Sequence, residues 1–155
     1  MTITTKKGDK GRSCWGGVEV DKDGLLLEVI GEMDELSAVF QLIGVRFEGD
    51  EWEELATNLG EIMGVLALKG ECSLKKRIEV MEKEIEKGEK ELAKIDGFVS
   101  FKMEKGAMIN WGRTVTRRVE RGMVSLGKKR KLDEDVLVYF NRLSDYLFIL
   151  ARKAE

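Results

Sequence analysis

Arg113-Thr114-Val115-Thr116-Arg117-Arg118-Val119-Glu120-Arg121-Gly122 is the stretch whose reading decides the fold. At about 100° per residue, a helix brings Arg113, Arg117 and Arg121 within roughly 80° of one another, with Asn110 and Glu120 on the same side. Opposite them, Met108, Val115, Val119, Met123 and Leu126 form an apolar stripe that can be buried against other helices. Like charges at i,i+4 repel by roughly a few tenths of a kcal/mol per pair, so this arginine face asks for a compensating anion. Carboxylates of a salt-bridged bundle can supply it, and so can a ligand.

The same period runs outward in both directions. From about Ile30, residues Ile30, Met33, Leu36, Phe40 and Ile43 share one face, with Asp34 off that stripe beside Ala38 and Gln41. From 51 to about 70, Trp52, Leu55, Leu59, Ile62 and Leu66 keep a 3-4 spacing. From 73 to 95, Leu74, Ile78, Met81, Ile85, Gly88, Leu92 and Ile95 do the same, with Ser73 as N-cap and the Lys/Glu alternation as a solvated face. The period breaks around Gly97, Phe98 and Phe101 before the arginine helix. After it, Lys128-Lys129-Arg130-Lys131 is a basic loop, either a solvated connection or a nucleic-acid contact. Asp133 caps a last helix whose stripe is Val136, Phe140, Leu143, Leu147 and Leu150, with Asn141 and Asp145 on a polar edge beside Phe148. The fold class is therefore all-α: a bundle of about five helices with short loops, no strand of consequence, and one domain over 1–155.

Composition narrows the function. Lys+Arg 27 against Asp+Glu 29 gives a net charge of -2, so there is no general field for nucleic acid. Cys14 and Cys72 are two thiols without Cys-x-x-Cys spacing, which argues against a disulfide framework or a zinc site and for a reducing compartment. Nothing reads as a secretion signal or a membrane span, so a soluble cytoplasmic protein is expected. Histidine is absent, which removes the commonest general base and the commonest metal ligand together.

Residues 1–24 carry no helical period. Gly8 and Gly11 let backbone amides turn toward a ligand, Lys6, Lys7, Lys10 and Arg12 supply charge, and Thr5 and Ser13 supply hydroxyls. A phosphate cradle and a frayed N-terminal arm both fit the pattern. No Gly-Lys-Ser/Thr opens a helix, so it is not a Walker A loop.

Taken together these segments resemble the PduO-type ATP:cob(I)alamin adenosyltransferases. Thr5-Lys6-Lys7-Gly8-Asp9-Lys10-Gly11-Arg12-Ser13 resembles the family's Thr-Lys-Thr-Gly-Asp-x-Gly-x-Ser/Thr, and Gly31-Glu32-Met33-Asp34-Glu35-Leu36 its Gly-x-x-Asp-Glu-Leu. Arg113 to Arg121 resembles its Arg-Thr-x-x-Arg-Arg-Ala-Glu-Arg, and Asn141-Arg142-Leu143-Ser144-Asp145-Tyr146-Leu147-Phe148 its C-terminal signature. The resemblance implies a five-helix bundle assembled as a homotrimer, with ATP and its Mg²⁺ held between subunits by the N-terminal arm.

Position by position, it puts Thr5, Lys6, Lys7, Gly8, Ser13, Cys14, Lys22, Arg117, Arg118, Glu120, Arg121 and Asn141 on nucleotide-binding positions. Arg113 falls on the catalytic arginine and Asp34 on the carboxylate that pairs with it. Phe98 falls on the aromatic that packs against cobalamin and displaces its lower ligand. The implied partners are a corrinoid reductase and an adenosylcobalamin-dependent mutase, with no nucleic acid and no membrane.

The differences from the family cluster as well. Lys7 stands where the family has Thr, Ile109-Asn110 replaces its Leu-His, and Phe98-Val99-Ser100-Phe101 lacks its Pro-Gly-Gly. The resemblance places Asn110 and the loop on the corrin side. Three activities stay open: the adenosyl transfer, a non-catalytic relative carrying ATP or a corrinoid, and a bundle whose arginines serve structure or nucleic acid.

Overall fold

The computed structural model describes residues 6, 8–68 and 73–155. It holds α1 (Leu25–Phe47), α2 (Asp50–Leu68), α3 (Lys75–Glu91), α4 (Glu104–Gly127) and α5 (Glu134–Lys153), preceded by two short strands, β1 (Arg12–Trp15) and β2 (Val18–Asp21). The helix α4 lies at the centre of the packing, against α1 on one side and α5 on the other. Beyond them α2 covers α1 and α3 covers α5. Among the described residues, no helix is long and apolar enough to cross a membrane.

Helical periodicity translates directly into burial. Met33, Leu36, Phe40 and Ile43 of α1, Trp52, Leu59 and Ile62 of α2, Val119 and Met123 of α4 and Phe140, Leu143 and Leu147 of α5 are almost wholly removed from solvent. Phe40 and Trp52 pack with ring centroids 6.1 Å apart, joining α1 to α2. Thr116 is buried on α4 without cost to the core, because its hydroxyl donates to the Gly112 carbonyl at 2.9 Å. Where α3 meets α5, Gly88 allows contact no other residue would. A Cβ there would run into Cγ2 of Ile149.

Several boundaries differ from expectation. Asp133 does cap α5, accepting from the Asp135 amide at 3.0 Å, whereas Ser73 does not cap α3. The residue before α3 is Leu74, which is buried and makes no side-chain cap. The same helix ends at Glu91 rather than near Ile95. Arg152 at the end of α5 donates to the Ala93 carbonyl at 2.6 Å, so the chain leaves the helix where its partner helix ends, and Ile95 is exposed.

The N-terminal arm is a β-ribbon, contrary to the expectation of no strand of consequence. The strands pair antiparallel in the register Arg12↔Asp21, Ser13↔Val20, Cys14↔Glu19 and Trp15↔Val18. Gly16 and Gly17 take φ of 58° and 78°, so the two-residue connection has the twist a tight hairpin needs. Arg12 braces the ribbon across its exposed face, 3.3 Å from Glu19 and 3.4 Å from Asp21. Trp15 packs on the bundle core, and the turn rests on the end of α2. A Cβ at Gly16 would lie 2.8 Å from the Ala67 carbonyl carbon and closer still to its oxygen.

Candidate functional site

The arginines of α4 divide between its two neighbours and its free crest. Arg113 and Glu120 lean toward α5, Arg118 toward α1, and Arg117 and Arg121 stand exposed between them. Arg118 is claimed within the chain. It lies 3.5 Å from Glu32 and closer to Glu35, tying α4 to α1. Burial raises the Glu32 carboxyl above its ordinary range despite Arg118, helped by Glu28 and Glu35, while Arg121 opposes the rise. By contrast Arg117 and Arg121 have no ion-pair partner among the described residues.

Arg113 is held from two directions. Its Nε donates to Asn110 Oδ1 at 2.8 Å, one helical turn back, and its guanidinium carbon sits 5.6 Å from the centre of the Phe148 ring. Burial, then the neighbouring Arg117, pushes its pKa below the usual guanidinium value. The structure does not bring Asp34 to it. Asp34 is exposed on α1 and has no cation partner among the described residues, so within one chain the expected Arg113–Asp34 pair is unmade.

The seam between α4 and α5 is polar and connected. Asn141 Nδ2 donates to Glu120 Oε1 at 3.2 Å, and Arg142 donates to Asn141 Oδ1 at 2.8 Å and to Glu82 of α3 at 2.7 Å. Asp145 completes this edge. Burial raises its carboxyl above the ordinary aspartate range, Glu120 and Glu89 add to the rise, and Arg142 and Arg117 oppose it. Glu120 and Asn141 are therefore joined directly, and Arg117 lies near enough to act on the Asp145 carboxyl. Asp145 joins them, and the polar edge of α5 was the signal for it.

The ribbon supplies a second group of cations. Lys22 follows β2, its amide bonded to the Gly11 carbonyl at 2.9 Å. Its ammonium lies over Gly8, where a Cβ would come within 2.9 Å of Nζ. Lys6 and Lys22 are exposed. Strand alternation separates two of the expected residues: Ser13 faces the same side as Trp15, and Cys14 is exposed on the other side. Thr5 and Lys7 lie outside the described residues.

Phe98 stands fully exposed in the connection between α3 and α4. The aromatic that does pack there is Phe101, edge-on to Phe148 with centroids 6.3 Å apart. The loop is anchored just beyond it, where the amides of Lys102 and Met103 donate to the Glu155 carboxylate at 2.9 and 3.1 Å. Phe101, Phe148 and Arg113 thus form one stack, and sequence spacing alone did not connect Phe101 to it.

None of these residues lines the cavity of about 310 Å³ between α2, α3 and α5, which is bounded by Glu51, Asn58, Lys76, Met81 and Tyr146 among others. The candidate site is an open surface on the crest of α4. Guanidiniums there that are unpartnered among the described residues, and lysines on a glycine-turned ribbon, are groups of the kind that can hold an extended anion such as a polyphosphate.

The cobalamin adenosyltransferase family profile matches residues 3–154. A corrinoid adenosyltransferase of Bacillus subtilis is 33% identical over 165 residues, covering 98% of this chain and 86% of its own length. One from Citrobacter freundii is 31% identical over 169 residues, covering 99% and 94%. Among solved structures, a phenylalanine-to-alanine variant of the PduO-type ATP:corrinoid adenosyltransferase from Lactobacillus reuteri, complexed with cobalamin and ATP, superposes with a TM-score of 0.91. It is 26% identical, with 99% of this chain and 93% of that one covered. The chain belongs to the cobalamin adenosyltransferase family.

Proposed function

We propose that this protein transfers the 5'-deoxyadenosyl group of ATP to cob(I)alamin and releases triphosphate. The observation that carries the proposal is the arginine crest of α4, left without carboxylate partners among the described residues in a chain of this family. In the reaction the reduced cobalt attacks the 5' carbon, a Co–C bond forms, and the C–O bond to the triphosphate breaks. The nucleophile needs no base, which suits a chain with no histidine. What the protein must do is hold and stabilise the leaving triphosphate. Arg113, Arg117 and Arg121 offer planar two-point contacts, and Lys6 and Lys22 offer point charges beside the turn at Gly8. In a closed site, removing one such donor typically costs about 3 kcal/mol of transition-state stabilisation.

Mg²⁺ belongs to the triphosphate in this scheme. The protein groups assigned to the site are mainly guanidiniums, ammoniums and amides, a donor set that fits phosphate oxygens and would not ligate a bare cation. When bound, the metal neutralises charge on the leaving group. Arg118 stays with Glu32 and Glu35 and braces α4 against α1, and Glu120 orients Asn141 toward the nucleotide. Phe98, exposed on its loop, is the corrin-facing aromatic. The thiol at Cys14 is free and exposed, as suits a protein working in the cytoplasm. A corrinoid reductase must supply the substrate, and an adenosylcobalamin-dependent mutase would use the product.

The assembly proposed is a homotrimer with the nucleotide between subunits. Among the described residues, exposed Asp34 has no cation partner and the terminal nitrogens of Arg113 are free, so a neighbouring subunit can pair the two. Exposed Leu42 and Val45 on α1 and Trp111 on α4 provide apolar surface for such a contact. Hydrodynamic mass should be about three times the 17.6 kDa of the chain, and a monomer that binds ATP fully would refute the shared site. The reaction is tested by mixing protein, MgATP and chemically reduced cobalamin and following the spectrum of the cobalt–carbon product. Bound ATP with no product would refute catalysis.

A further inference from the structure

We infer that Asn110 is a positioning residue that aims the Arg113 guanidinium while leaving both its terminal nitrogens free to take a carboxylate or phosphate. The inference rests on the adenosyl-transfer reading and adds a residue to it. Nε of arginine can only donate, so the atom of Asn110 facing it at 2.8 Å must be the amide oxygen. That single bond occupies the one N–H that is useless for a two-point grip on phosphate or carboxylate through both terminal nitrogens. The two terminal NH₂ groups remain free, and among the described residues neither has a hydrogen-bond partner.

The second constraint is the face of Phe148, 5.6 Å from the guanidinium carbon, itself held edge-on by Phe101. One bond and one ring face together define the direction and the plane of the fork. The chemistry of the acceptor matters as much as its place. Arg113 is half-buried and near Arg117, so a carboxylate at 110 would draw the terminal nitrogens onto itself and take them from the Asp34 carboxylate or phosphate they are to meet. A neutral amide holds the group and adds no charge. A neutral imidazole at this position could accept from Nε in the same way.

The test uses the full-length protein with MgATP and prereduced cobalamin at about pH 8, where an imidazole of ordinary pKa near 6.5 is neutral. Asn110→Ala should lower kcat roughly 10- to 100-fold, the worth of one hydrogen bond to a charged group, with ATP affinity changed by less than about threefold. Asn110→His should recover most of the rate. Asn110→Asp should keep the fold and the helix-surface contact yet fail to recover it. In an Arg113→Lys background, Asn110→Ala should change kcat by less than about twofold, because lysine has no Nε–H for the amide to hold.

Full activity in Asn110→Ala, full activity in Asn110→Asp, or an equal loss in both backgrounds would overturn the inference. Failure of the underlying reading is separable. If Arg113→Lys alone leaves the rate intact, Arg113 is not the acting group, whereas a damaging Arg113→Lys beside a harmless Asn110→Ala removes only the role of Asn110.

Discussion

Replacing Gly16 by alanine should uncouple the N-terminal arm, proposed above to bind nucleotide, from the bundle without disturbing the bundle itself. Two costs combine. The residue sits at φ 58°, where a Cβ costs about 1 to 2 kcal/mol. The new methyl would also lie 2.8 Å from the carbonyl carbon of Ala67 and closer to its oxygen. That obstacle is helical backbone and cannot rotate aside, so overpacking adds about 1 to 3 kcal/mol unless the ribbon lifts. Lifting releases Trp15 from the core edge and moves Ser13 and Lys22 with the ribbon. If the lifted state becomes favoured by about 2 to 3 kcal/mol, apparent ATP affinity falls roughly 30- to 150-fold, since each 1.4 kcal/mol is a factor of ten. Calorimetric titration with MgATP measures the affinity, and far-UV circular dichroism checks that helix content is unchanged. Unaltered ATP affinity with a folded bundle would refute the reasoning and make the docked ribbon irrelevant to the nucleotide.

Arg113→Lys should reduce adenosylation sharply without unfolding, because lysine keeps charge but loses the planar fork. Asp34→Asn should do the same if the two act as a pair, and steady-state kinetics of the double variant should then be strongly non-additive. Asp145 has its carboxyl raised above the ordinary range by burial, so its ionised form is the one the fold disfavours. That contribution to stability is fully present below the unfolded pKa of about 4 and is lost as pH rises through the folded value. Melting temperatures should therefore show Asp145→Asn above the parent at neutral pH and the two converging below about pH 4. A parent that melts higher at neutral pH would refute the sign. Gly88→Ala should destabilise by about 1 kcal/mol, overpacking against Ile149 of about 2 outweighing a helix-propensity gain of about 1. Denaturant titration should show part of that loss disappearing when Ile149 is also truncated to alanine.

The helices were legible because burial on one side imposes a period, and Trp52, Phe40, Val119 and Leu147 all sit where that period put them. Ends were less legible. The stop of α3 at Glu91 depends on Arg152, a residue far along the chain whose reach to the Ala93 carbonyl leaves no local trace. The ribbon escaped notice because its strands have four residues each and carry charges on their exposed face. Gly16-Gly17 between Trp15 and Val18 was the turn signal.

At the site, spacing placed the arginines on α4 but could not say how its neighbours divide them. Arg118 goes to Glu32 and Glu35, and Asn110 holds Arg113. Pairing of Asp34 was not legible in one chain's contacts, since its expected partner lies on another helix face.

The outermost layer of the bundle has a consequence for cooperativity. Helices α2 and α3 meet at most marginally, joined by the Arg77–Glu61 contact at 2.8 Å beside the cavity of about 310 Å³. Ile78, Met81 and Gly88 are the buried residues of α3, so it leans on α5 with little apolar area of its own. Such an element is a weakly coupled folding unit, able to open at a fraction of the free energy that global unfolding requires. The loop bearing Phe98 follows directly from it, while Arg113 is rooted in the central helix. Excursions of α3 would thus let the protein remodel the loop bearing Phe98 on one timescale while the arginine crest of α4 stays locked on another.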